Sequence, residues 1–139
     1  MLAEFIGAVI VKDGRYLIEP VEKNKKTYVR FPRVETVNAI AQKEDILKHG
    51  LKMKYGIEVK INRCIYQEDF TDRSDVISYA YFIGSLLSSD LPADLLWIGK
   101  EDFMKVDFVI GDDIIIDKIT NTDMREVCNV QDIFSNKER

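Results

Sequence analysis

The chain has 139 residues, 46% of them hydrophobic and 32% charged, with a formal net charge of −4. That profile excludes a disordered or membrane-embedded chain, and the acidic balance gives no basic footprint on which nucleic acid would concentrate. A chain this long buries roughly 70% of its unfolded surface, so one domain over residues 1–139 with one core is expected.

Phe5 to Val11 is an apolar run, Asp13-Gly14 is a two-residue hairpin signal, and Tyr16 to Ile18 resume the apolar pattern, which predicts a β-hairpin. Lys23, Lys25 and Lys26 surround Asn24 in a stretch that reads as a solvated hairpin tip, with phosphate contact as the alternative. Thr27 to Phe31 is a short strand that Pro32 ends, because proline donates nothing to a ladder and restricts the residue before it. An irregular stretch is expected from there to about Gln42.

From Lys43 to Tyr55 the apolar residues Ile46, Leu47, Leu51 and Tyr55 recur at helical spacing, and Gly56 stands where a left-handed cap is needed. Ile57 to Tyr66 and Val76 to Leu86 read as strands, the second with Ile77, Tyr79, Tyr81 and Ile83 on one face, and Asp69 to Asp75 as the polar turn between them. Leu95 to Ile98 follows as a strand and Lys100 to Val106 as a short helix whose acidic start suits its positive end. The tail from Asp112 is helical in pattern, with a break near Asn121 and frayed residues Asn136 to Arg139. Cys64 and Cys128 lie far apart without clustered histidine, so neither a zinc site nor a disulfide is suggested. Without a basic leader or an apolar run of ~18 residues, no membrane partner is expected and the compartment is read as cytoplasmic.

Gly7 to Leu17, Phe31-Pro32, Tyr55-Gly56-Ile57-Glu58-Val59 and Leu96 to Phe103 stand in an order that resembles the Nudix hydrolase family over nearly the whole chain. The resemblance implies an α/β fold, a Nudix-type α/β/α sandwich with a mixed β-sheet. The family's signature helix reads Arg-Glu-apolar-any-Glu-Glu-any-Gly-apolar. Anchored on Gly56-Ile57, it puts Leu51 at the first apolar position, His49 at the arginine, Gly50 at the next glutamate, and Met53 and Lys54 at the glutamate pair. Carboxylates at those spacings share one helix face and converge on a divalent cation, which bridges a diphosphate and activates water. Here the face carries a glycine, a thioether and an ammonium group, so the resemblance is to a member with a degenerate box, for which no metal ligand and no cofactor is expected. A second register keeps Glu35 and Glu44 as acids but places Asp45 at a core position and breaks the apolar stripe.

Glu35 and Glu44 are therefore the weak catalytic candidates, although Glu44 and Asp45 are read more simply as favouring the positive end of the helix. His49, the sole histidine, has no assignable nucleophile beside it and is read first as a surface residue. Arg30, Arg33, His49, Met53 and Lys54 are the candidate ligand-binding residues, set against a plain surface role for the arginines. Gly50 in mid-helix reads as a site of close packing or of partner approach rather than of chemistry.

Three functions remain open at this level. The first is a Nudix-like protein without the usual pyrophosphohydrolase activity, holding a nucleotide or other small phosphorylated ligand in a regulatory role. The second is a Mg²⁺- or Mn²⁺-dependent hydrolase of nucleoside diphosphate derivatives that uses relocated carboxylates. The third is a dimerisation module, with a homodimer as its partner arrangement.

Overall fold

A computed structural model describes residues 2–109 and 111–121. The expected second tail helix, the fraying of the last residues and Cys128 lie outside them. In chain order the elements are β1 (Leu2–Lys12), β2 (Arg15–Lys23), β3 (Lys26–Arg30), β4 (Arg33–Val37), α1 (Lys43–Tyr55), β5 (Val59–Asp72), β6 (Asp75–Leu86), β7 (Leu96–Gly99), a 3₁₀ turn (Lys100–Lys105) and α2 (Asp112–Asn121).

All seven strands belong to one mixed sheet in the order β3-β2-β1-β6-β5, with β4 also on β1 and β7 also on β2. β1 and β6 run parallel from Leu2↔Val76 to Ile10↔Gly84, and the other pairings are antiparallel. Asp13-Gly14 turns β1 into β2 with both φ angles positive, as does Asn24-Lys25 between β2 and β3, which matches the strand twist of tight hairpins.

Two expectations need correction. Residues 33–37 are not irregular: they form β4, paired with β1 from Gly7↔Arg33 to Ala3↔Val37. Pro32 ends β3, but the ladder positions of β1 not covered by β2 are free, and the chain pairs there as soon as the proline is passed. Asp69 to Asp75 is likewise not a turn. The β5–β6 ladder runs on through Phe70↔Ile77 to Asp72↔Asp75, leaving only Arg73 and Ser74 between the strands. Ring contact between Phe70 and Tyr79, at 5.7 Å and edge-on, anchors this polar extension.

The single core expected from length is in fact two, because the sheet is covered on both faces. Alternation along each strand divides the apolar residues. Ile6, Ala8, Ile10, Leu17, Ala80 and Phe82 face α1, which supplies Leu47, Leu51 and Tyr55. Val9, Tyr16, Ile18, Tyr81 and Ile83 face the other way, where Phe103 of the 3₁₀ turn and Ile115 and Ile119 of α2 cover them. Strands buried on both faces read as continuous apolar runs, and Gly7 to Val11 and Ala80 to Ile83 do.

α1 has the bounds its periodicity predicts. Gly56 caps it at φ 73°, its N–H donating to the Lys52 carbonyl at 2.9 Å. Leu47 and Leu51 are fully buried, each burial being worth about 1.5–3 kcal/mol. Gly50 lets the helix settle on β4: a Cβ there would overlap the Val34 methyl groups.

Candidate functional site

The site lies where β1 changes neighbour along one edge. Its residues 3–7 pair with β4 and residues 11–12 with β2, so β2 and β4 part between those points. Phe31-Pro32 crosses the gap, tied by the Ala8 N–H donating to the Pro32 carbonyl at 2.8 Å. The crossing places Arg30, from the end of β3, and Arg33, from the start of β4, on either side of a buried Phe31.

Two concavities open here. One, of about 560 Å³, is lined by Arg30, Val34, Glu35, Gly50, Met53 and Lys54. The other, of about 410 Å³, is lined by Val21, Lys23, Asn24, Tyr28, Arg30, Arg33 and Val109. Arg30 is the residue common to both.

Each cation is held differently. Arg30 donates from Nε to Glu19 Oε1 at 2.8 Å, and its terminal nitrogens have no partner among the described residues. Burial opposes its charge, but the hydrogen bond and negative charge of Glu19 outweigh that and raise its pKa. The same Glu19 oxygen accepts the Tyr55 hydroxyl at 2.8 Å. Burial first, then Glu19, pushes the Tyr55 phenol well above its ordinary value.

Arg33 donates from Nη2 to Asp112 Oδ1 at 2.7 Å. Asp112 is fully buried at the start of α2, where the helix dipole favours a carboxylate. It also accepts the Phe31 N–H at 2.9 Å and the Tyr81 hydroxyl. Arg33 is thus committed to holding the crossing in place, while its Nε is buried without a partner among the described residues.

The Lys54 side chain is exposed, and its ammonium group reaches back to the start of β4. It donates to the Arg33 carbonyl at 3.3 Å and sits 5.2 Å from the centre of the Tyr55 ring. Partial burial, followed by the positive charge of Arg30, lowers its pKa below the ordinary lysine value, with Glu19 and Glu35 opposing the shift.

The fold therefore brings together Arg30, Glu35, Met53 and Lys54, and sets Arg33 in the adjoining cavity. His49 and Glu44 are exposed on α1 and do not line either cavity. The surface beside Gly50 and Met53 is a concavity with charged walls, whereas a dimerisation module calls for a closed apolar face there. Among the described residues, no three His, Cys, Asp or Glu side chains gather where they could share a metal ion. No helix among those residues is long and apolar enough to cross a membrane.

Sequence reasoning missed Glu19 and Asp112. Glu19 follows Leu17 at the two-residue spacing of a strand, so β2 alternation alone places it on the α1 side with Tyr55. Asp112 carried no comparable signal, since its partners lie 79–81 residues upstream or on β6.

No protein-family model matches the sequence, and no curated protein matches it. Solved structures do. The ORF135 protein of Escherichia coli superposes with a TM-score of 0.66 at 16% identity, over 86% of this chain and 89% of that one. A MutT Nudix hydrolase from Burkholderia pseudomallei gives 0.63 at 16% identity, over 84% and 97%. A mutator MutT protein from Bacillus halodurans gives 0.59 at 14% identity, over 87% and 84%. The chain has the Nudix hydrolase fold.

Proposed function

We propose that this Nudix-fold protein binds a small phosphorylated ligand, a nucleotide or similar metabolite, without the pyrophosphohydrolase chemistry of a metal-loaded Nudix helix, in a regulatory role. The observation that carries this reading is Arg30. Its guanidinium is fixed through Nε by Glu19, and the residue lines both cavities. A planar guanidinium with free parallel donors suits phosphate oxygens. A phosphate in the Lys54 cavity would leave the rest of the ligand to the other, where Tyr28, Val21 and Val109 supply ring and apolar surface.

The fold family implies a divalent cation on α1, and the residues present do not fit one. A hard cation takes six or more oxygen ligands, several from carboxylates or water. The cavity wall offers one carboxylate, Glu35, beside a thioether, a glycine and two cations. Met53 is too soft a donor for Mg²⁺, and Lys54 repels it. Catalysis is a property of a site and not of a fold, and this site lacks the acids for that chemistry.

One observation favours the alternative of a Mg²⁺- or Mn²⁺-dependent hydrolase: Glu35 does line the cavity. Titration with a panel of nucleoside diphosphate compounds, with and without Mg²⁺ or Mn²⁺, separates the two when heat of binding and phosphate release are both followed. Binding without turnover is expected. Metal-dependent turnover would establish the hydrolase and direct mutation to Glu35.

A further inference from the structure

The cavity shared by Arg30 and Lys54 has features of an anion site that carries its own cations. Two positive groups arrive from separate elements, Arg30 from β3 and Lys54 from the last turn of α1. Each is pinned by a neighbour that leaves donors over: Arg30 by one Nε hydrogen bond to Glu19, Lys54 by one long hydrogen bond to the Arg33 carbonyl. Lys54 can release that contact at little cost, because its ammonium exchanges a 3.3 Å hydrogen bond to a neutral carbonyl for one to a charged phosphate oxygen. Glu35 opposes an anion on the same wall, so the ligand's charge must be high enough to favour two cations over one carboxylate.

We infer that the ligand is taken up as the free polyanion, a diphosphate group uncomplexed by divalent cation, with Lys54 and Arg30 standing in for the metal, so that Mg²⁺ antagonises binding. This rests on the reading of the cavity as a phosphate site. The physical argument is competition. Mg²⁺ bound to a diphosphate neutralises the charge that Lys54 and Arg30 would meet and brings a hydrated cation against an ammonium group. A metal–diphosphate complex therefore loses attraction and gains repulsion where an acidic Nudix helix would gain affinity. Met53 offers the approaching ion no oxygen in exchange. The dependence on Mg²⁺ is opposite in sign to that of a metal-bridged site.

The test is calorimetric titration of the whole protein with inorganic pyrophosphate, first in chelator and then in excess Mg²⁺, together with the variants K54M and K48M. Lys48 is an exposed lysine on the same helix that lines neither cavity, so K48M controls for net charge. The expected result is binding in chelator, weakening in Mg²⁺, and affinity reduced about tenfold or more in K54M, as loss of a charge-assisted hydrogen bond entails. K48M should bind as the parent does.

Pyrophosphate binding that requires or is strengthened by Mg²⁺ would overturn this inference while leaving a phosphate-binding function standing. Equal loss in K54M and K48M would also overturn it, by reducing the effect to overall charge. Failure of pyrophosphate and of every nucleoside diphosphate to bind under either condition would remove both readings together.

Discussion

Arg33 and Asp112 stand 79 residues apart in the chain and 2.7 Å apart in space, and their contact fastens the start of β4 to the start of α2. Asp112 is fully buried and also receives the Phe31 N–H and the Tyr81 hydroxyl. Replacing it by alanine leaves a largely buried guanidinium without its counter-charge, which costs about 3–5 kcal/mol. Chemical denaturation of D112A should show that loss, and the double variant R33M/D112A should recover part of it, because no unpaired charge then remains.

Gly50 and Val34 are expected to be coupled. G50A places a methyl group into the Val34 side chain and should destabilise the protein by about 1–3 kcal/mol, despite alanine's better helix propensity. V34A opens that space, so G50A/V34A should be more stable than the sum of the single changes predicts. A double-mutant cycle by thermal or denaturant unfolding measures the difference.

Tyr55 and Tyr81 set an alkaline limit. Burial and a carboxylate partner raise both phenol pKa values above the ordinary 10.0. A group with a raised folded-state pKa contributes stability in full below its unfolded value and loses it as pH climbs toward the folded one. Unfolding free energy should therefore fall as pH rises past 10, and Y55F should flatten that fall. Stability followed across this range, in parent and variant, checks the sign.

Anion affinity should carry the mark of Lys54. Its pKa lies below the usual 10.5 through partial burial and then Arg30, with Arg33 adding to the shift and Glu19 and Glu35 opposing it. The ammonium form, and with it pyrophosphate affinity in chelator, should decline at a lower pH than an ordinary lysine would dictate. Binding should also be accompanied by proton uptake in that range, seen as a dependence of the measured heat on buffer ionisation enthalpy.

R30M should cost ligand affinity about tenfold or more, since it removes the donors common to both cavities. E44Q and H49A should leave affinity unchanged, because both residues are exposed on α1 away from the cavities. Equal losses in all three would move the site elsewhere.

Much of this arrangement could be read from the chain before any coordinates. α1 was legible to the residue because Leu47, Leu51 and Tyr55 keep one face and Gly56 ends it. The hairpin at Asp13-Gly14 was legible for a similarly local reason. β4 was not: Arg33 to Val37 follow a proline, alternate weakly, and gain strand structure only from a partner some 30 residues upstream. At the site, the register of the helix and the position of Phe31-Pro32 singled out Arg30, Arg33, His49, Met53 and Lys54 as ligand-binding candidates, with Glu35 and Glu44 apart from them as weak catalytic ones; Arg30, Glu35, Met53 and Lys54 line one cavity. His49 occupies the arginine position of that register and is exposed, which agrees with its first reading as a surface residue. The role of Asp112 depends wholly on tertiary contact and had no local trace.

The parallel union of β1 with β6 bears on how the molecule is made. Leu2 meets Val76 and Ile10 meets Gly84, so β1 gains its parallel neighbour only after β2 to β5 have been made. The hairpins β1–β2 and β5–β6 can close early, since their loops are two residues long. Joining them is a late, high-contact-order event that must gain enough from Ile6, Ala8 and Ile10 against Ala80 and Phe82 to offset closing a loop of some 70 residues. Until then an apolar strand edge stays open, and it is in that interval that a nascent chain is most exposed to aggregation.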